Sequence, residues 1–238
     1  MTQQSVKLFN NSTTLTEDAN HYWKMDDNSD DSIGSINGSD TNVTYGTAYG
    51  KIEEGASFNG SSSKIVLASI GTAIFTNSST DRTYSVWVYP TSSAISGSIF
   101  RSTREGESGL LNIAMGGTST YLYYLLKMNT GYQTIYSTLK SINNWYHLVV
   151  TLDLTNRFIY MYINGVVDMS PGYGGALTGT TISTYSGFGY TTVGVNFFGS
   201  AEFFSGYIDE VGLWNRVLTA SEIKELYWAG YGKTYPFI

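Results

Sequence analysis

The chain has 238 residues, of which 13% are charged, with a formal net charge of −6, 26 Gly, 20 Tyr and no Cys. The aromatic and β-branched content excludes intrinsic disorder, and the lack of Cys excludes a disulfide framework, thiolate zinc sites and cysteine nucleophiles. No Lys/Arg block exists to displace phosphate counterions, so nucleic acid is excluded as a partner, and with His21 and His147 as the histidines a multi-histidine metal site is excluded too.

Residues 1–20 read as a polar arm rich in Thr, Asn and Ser, with one apolar patch from Val6 to Phe9. Such an arm is loosely ordered or docks on a partner. It lacks the apolar stretch of a secretory signal, so a chain starting at Met1 is expected not to use the general secretory route. A trimmed signal would leave the same sequence. No run of about 18 apolar residues occurs anywhere, so membrane insertion is not expected.

From residue 21 to 238 the pattern is that of one domain. His21 to Met25 is a short aromatic strand that leads into the acidic loop Asp26-Asp27-Asn28-Ser29-Asp30-Asp31. Strands follow at Ala56–Phe58 and Lys64–Ala68. Tyr84 to Tyr89 alternates with period two and ends at Pro90. Ser98–Arg101, Leu110–Met115 and Tyr121–Met128 are three more strands. Trp145–Asp153 and Arg157–Ile163 form a hairpin around Thr155-Asn156. Asn164-Gly165 then signals a second tight turn, because both central residues must take positive φ. Residues 171–190 read as a long loop, and Thr191–Asn196 and Phe203–Leu213 close the β region. Thr219-Ala220-Ser221-Glu222 fits a capping box for one short helix through Tyr227, stopped by Gly230. The fold class is all-β, with about a dozen strands.

The order of these pieces resembles a known family. Tyr22-Trp23-Lys24-Met25-Asp26-Asp27, the Asp31-x-x-Gly34 turn and Gly55-Ala56-Ser57-Phe58-Asn59-Gly60 resemble the start of laminin-G-like jelly-roll domains. Trp145 to Thr151 followed by Ile159-x-x-Tyr162-Ile163-Asn164-Gly165 is the most specific segment. Gly206-Tyr207-Ile208-Asp209-Glu210-Val211-x-Leu213-Trp214-Asn215-Arg216 is similar to the family's C-terminal signature. The resemblance implies a concanavalin A-like sandwich of two antiparallel sheets, roughly six or seven strands each. It implies carbohydrate or protein recognition, often with one bound calcium. The tail from Gly230 to Phe237 resembles those of phage and environmental bacterial proteins.

Calcium needs six to eight oxygen ligands. Carried over from the family, the expected ligands are Asp26, Asp31 and Asp209, with Glu210 as a second choice; the competing reading is a solvated acidic turn and an Asp209 bonded to nearby backbone. Sugar rings stack on aromatic faces, and Tyr121, Tyr123 and Tyr124 offer one such platform, with the loop tyrosines Tyr173, Tyr185 and Tyr190 as another. Packing is the competing role for all six. Trp23, Trp87, Trp145 and Trp214 read as core.

Retaining glycosidases need two carboxyl groups about 5–5.5 Å apart, and the Glu-x-Asp-x-x-Glu run of the superfamily's catalytic strands is absent. The expected function is a non-enzymatic attachment module that binds a glycan or surface protein, on a virion or cell surface. The alternatives are a structural virion protein that docks other virion proteins through residues 1–20, and an unusual hydrolase.

Overall fold

Runs of Val, Ile, Leu and aromatic residues become strands here wherever alternate side chains find a partner sheet to bury against. The computed structural model describes residues 12–67, 81–93, 97–104, 111–116, 120–172, 174–182, 189–196 and 202–237. In chain order the elements are helix α1 (Ser12–Thr16) and strands β1 (Ala19–Trp23), β2 (Gly38–Thr41), β3 (Thr44–Gly46), β4 (Gly55–Asn59), β5 (Lys64–Leu67), β6 (Arg82–Pro90) and β7 (Gly97–Arg104). Then come β8 (Leu111–Met115), β9 (Leu122–Met128), β10 (Gly131–Tyr136), β11 (Tyr146–Asp153), β12 (Phe158–Ile163), β13 (Val166–Val167), β14 (Gly189–Val193) and β15 (Ser205–Trp214). Helix α2 (Ala220–Tyr227) runs into a 3₁₀ turn at Trp228–Gly230.

Among the described residues the strands form two antiparallel sheets. One has eight strands in the order β13-β12-β11-β6-β15-β4-β3, with β1 also pairing β15; the other has seven in the order β10-β9-β8-β7-β14-β5-β2. This is the sandwich expected from the sequence. Its core lies between the sheets and includes Trp23, Phe58, Val86, Phe100, Tyr124 and Ile208. The β9 strand shows the logic plainly: Leu122, Tyr124, Leu126 and Met128 are buried, while Tyr121, Tyr123, Leu125 and Lys127 are only half-buried.

A second apolar cluster covers the other side of the eight-stranded sheet. Helix α2 contributes Ile223 and Leu226, the C-terminal tail contributes Phe237, and these meet Tyr22, Val149 and Trp214. Thr219 caps α2 with the expected capping box. Leu15 joins this cluster and is fully buried, its carbonyl accepting the Trp214 indole N–H at 2.8 Å. Residues 12–20 are therefore built into the domain rather than forming a free arm, so the domain begins before residue 21. Residues 1–11 lie outside the described residues.

β2, β3, β10 and α1 were not evident in the sequence. β2 and β3 are short, polar edge strands without an apolar alternation. β10 pairs with β9 through a two-residue turn, Asn129-Thr130, and Ile135 is its one buried residue.

Candidate functional site

The outer face of the seven-stranded sheet carries polar and aromatic side chains in register. One row runs Thr192, Arg101, Asn112, Leu125, Thr134 across β14, β7, β8, β9 and β10. The next row holds Ala114, Tyr123 and Tyr136. Asn112 is 4% exposed although it lies on this face. Its Nδ2 donates to the Tyr123 hydroxyl at 3.3 Å, while its Oδ1 has no hydrogen-bond partner. Arg101 donates from Nη1 to Glu202 Oε2 at 3.2 Å, and Asn196 Nδ2 donates to the same oxygen at 3.1 Å. Burial pulls the Arg101 guanidinium pKa down, and the Glu202 carboxylate opposes that shift.

Tyr136 packs on both Tyr121 (centroids 5.9 Å, 72°) and Tyr123 (5.8 Å, 42°). These three rings form an aromatic rim beside Asn112. Tyr132 extends it along β10, 46% exposed, with Lys127 Nζ 5.6 Å from its ring centroid. Two of the expected tyrosines, Tyr121 and Tyr123, thus belong to a real cluster, and Tyr136 is the member the sequence reading missed. The missed signal was the two-residue Asn129-Thr130 turn, which brings Tyr136 back opposite Tyr123. Tyr124 is a correction. It faces the opposite way, is fully buried and packs against Tyr84 at 6.0 Å, so it cannot meet a ligand. The reason is the period of the strand: adjacent residues emerge on opposite faces. Tyr173 and Tyr185 lie outside the described residues, and Tyr190 is described only as a backbone position paired with Thr103.

The four expected metal ligands divide. Asp31 is a correction: Oδ1 accepts the N–H groups of Tyr22, Ile33 and Gly34, and Oδ2 accepts that of Ile36 and contacts His21 Nδ1 at 2.6 Å. Burial works against its charge, but His21 and these N–H donors outweigh it and hold the pKa to about 2. Asp31 is the knot of the loop after β1, both its oxygens taken up by backbone N–H groups and His21.

Asp26, Asp209 and Glu210 do approach one another. β15 carries a register irregularity between Asp209 and Gly212, with Glu210 at φ 52, where its neighbours on that edge change from β4 to β1. The irregularity lets two adjacent acids both be buried, at 0% and 1% exposure, where a regular strand would turn them apart. Asp209 Oδ2 accepts the N–H groups of Lys51 (2.8 Å) and Ile52 (3.0 Å), and Asp26 Oδ1 accepts that of Glu54 (3.1 Å). Asp209 Oδ1 has no hydrogen-bond partner, while the Glu210 carboxylate faces the Tyr22 and Thr234 hydroxyls. Burial drives the Asp209 and Glu210 pKa values up, reinforced at Asp209 by the Asp26 charge and at Glu210 by Asp209. The donors are all oxygens, which suits a hard cation in kind. Among the described residues, however, no three acid or imidazole side chains are arranged as a ready ligand set.

Trp23, Trp87 and Trp214 are buried as expected, whereas Trp145 is half-buried against Tyr89 at 5.5 Å.

Two antiparallel sheets packed face to face, with a polar and aromatic outer face on one of them, define a concanavalin A-like sandwich. Residues 58–224 match the Laminin_G_3 family of the concanavalin A-like lectin/glucanases superfamily, and the chain belongs to that family. Among solved structures, it is similar to domain 4 of AbnA, a GH43 extracellular arabinanase from Geobacillus stearothermophilus, in complex with arabinotriose: 23% identity, 88% of this chain and 98% of that chain covered, TM-score 0.63. It is also similar to a Trypanosoma rangeli sialidase in complex with 2,3-difluorosialic acid (17% identity, 91% and 34% covered, TM-score 0.65). A third is the receptor binding domain of a botulinum neurotoxin C/D mosaic serotype (13% identity, 90% and 51% covered, TM-score 0.63). The chain thus spans about a third of that sialidase chain and about half of that receptor binding domain. These likenesses establish the fold. No curated protein gives a significant match. Among the described residues, no helix is long and apolar enough to cross a membrane.

Proposed function

We propose that this chain is a non-enzymatic glycan-recognition module whose site is the outer face of the seven-stranded sheet. The observation that carries the reading is the Tyr121–Tyr123–Tyr136 aromatic rim on that face, with Asn112 buried behind Tyr123. Small-ligand sites combine apolar or aromatic walls with a few placed polar groups. A sugar ring would stack on the tyrosines, with Tyr123 held for it by the buried Asn112, whose Nδ2 donates to its hydroxyl at 3.3 Å. The arabinotriose complex of the arabinanase domain supports a carbohydrate as the ligand class.

Absence of catalysis is part of the proposal. Asp209 and Glu210 are sealed from substrate, and Glu202 is engaged by Arg101 and Asn196. A place on a virion or cell surface is also part of it. Docking through the arm would then fall to residues 1–11, because residues 12–20 are built into the domain. One calcium would require Asp209 Oδ1, Glu210 and Asp26 to close into a ligand set that they do not form as they stand. A rise in melting temperature with calcium that a chelator reverses supports that ion; equal melting with and without calcium sinks it.

The test of the main reading is a glycan array probed with the wild type and with Tyr136→Ala and Asn112→Ala. Binding that is weakened in both variants supports the sheet-face site. Wild-type protein that binds no glycan, or sugar release from a polysaccharide panel, overturns the reading.

A further inference from the structure

A second aromatic feature lies far from the sheet-face tyrosines in the fold, at the end of α2. Trp228 and Tyr231 are 57% and 74% exposed, with ring centroids 5.9 Å apart and planes at 60°. They stand as a corner rather than a flat patch. Beside them is a cleft of about 380 Å³ lined by Ile52, Trp228, Gly232, Lys233, Thr234 and Pro236. That volume falls in the range of small-ligand clefts, roughly 300–1,000 Å³.

The backbone there is shaped to hold the indole out. Trp228 is the cap residue of α2 in the left-handed region at φ 38, and Ala229 follows at φ 52. Helix ends favour Gly at such positions, since a Cβ is strained there. Gly is used instead at 232 (φ 84), where a Cβ would come within 2.6 Å of Ile52 and 3.2 Å of the Trp87 indole nitrogen. A side chain at 232 would crowd the cleft against Ile52, and the strained neighbour is a tryptophan facing water.

The rim is neutral overall: Lys233 Nζ is held by Glu225 Oε1 at 2.8 Å. That pairing disfavours a strongly charged ligand. The exposed apolar surface is also small, two rings beside Pro236, with Lys224, an exposed residue, on the preceding helical turn. Stable protein interfaces need about 800 Å² per partner, which two rings do not supply. A corner of two rings, a shallow floor and a neutral polar rim match the apolar face and hydroxyl edge of a neutral sugar ring.

We infer that Trp228 and Tyr231 form a second saccharide-contacting site, separate from the sheet-face tyrosines, that takes a neutral sugar ring of an oligosaccharide. This inference rests on the glycan reading above. The protein labelled with 5-fluorotryptophan, titrated with arabinotriose, cellotetraose and sialyllactose and followed by fluorine NMR, tests it. Trp228 is assigned through Trp228→Phe. A saccharide-dependent shift of the Trp228 resonance that survives Tyr136→Ala supports the inference, as does an affinity loss of about tenfold or more in Trp228→Ala and Tyr231→Ala. Binding that leaves the Trp228 resonance unmoved overturns this site and keeps the glycan reading. Failure of all three probes to bind overturns both. Self-association in sedimentation velocity that Trp228→Ser abolishes, with no saccharide shift, reassigns the corner to protein contact and also overturns the inference.

Discussion

Ser85 Oγ lies 2.9 Å from His147 Nε2 inside the protein, and the imidazole forms a three-ring cluster with Trp87 (4.9 Å, 30°) and Tyr227 (6.2 Å, 15°), which also touch each other. Burial alone pulls the His147 pKa from 6.5 to about 3, since no carboxylate is there to hold a proton on it. The unfolded chain therefore takes up a proton before the folded one does. This contribution to stability is fully present above pH 6.5 and is lost as pH falls toward 3. At pH 5 the loss is roughly 2 kcal/mol. Denaturant unfolding of the wild type and of His147→Gln at pH 7 and pH 5 isolates it: the wild type should lose about 2 kcal/mol more than the variant on going to pH 5, while the buried Asp209 and Glu210, whose raised pKa values favour the folded state as pH falls, act alike in both. An equal pH slope in both proteins would refute the assignment.

Asp31 ties four backbone N–H groups and His21 in the loop after β1. Asp31→Ala should cost about 3 kcal/mol or more, because these donors are left without an acceptor. The loss should be the same in calcium as in chelator. A destabilisation that appears only with calcium present would return Asp31 to the ligand set.

Tyr123 and Tyr124 should separate structure from binding. Tyr124→Ala opens a core cavity and should cost about 3–5 kcal/mol. Tyr123→Ala removes a half-buried ring and should lose little stability but most of the glycan affinity. Thermal melts and glycan titration of the two variants check this, and a reversal of the pattern would show the strand inverted.

Arg216 joins the N-terminal segment to α2. Its Nη2 donates to Glu222 Oε1 at 2.7 Å and Nη1 to Glu222 Oε2 at 2.9 Å, while Nε donates to the Glu17 carbonyl at 3.0 Å. Burial opposes the Glu222 charge, yet Arg216 and Thr219 outweigh it and hold the pKa to about 2. Arg216→Leu should speed hydrogen exchange in residues 12–18 and at the start of α2, with a cost of roughly 2–4 kcal/mol. Unchanged exchange in both segments would remove Arg216 from that role.

Local signals decided much of the chain. Period two set the burial of β9, Asn164-Gly165 takes the positive φ values expected (54 and 77), and Thr219 and Glu222 cap α2, whereas β6 is buried on both faces because α2 and the tail cover its outer side. The β9 pattern, that turn and that cap depend on neighbours in sequence, so the sequence by itself determined them, along with the all-β class. Tertiary structure decided the rest. Which tyrosines share a face depends on cross-strand register, so Tyr136 joined the rim and Tyr124 left it. An irregularity against β6 buried both Asp209 and Glu210, and loop closure spent Asp31 on backbone N–H groups. Trp228 faces water because a left-handed backbone holds it there. Such outcomes rest on contacts between residues far apart in the chain, and composition and spacing carry no record of them.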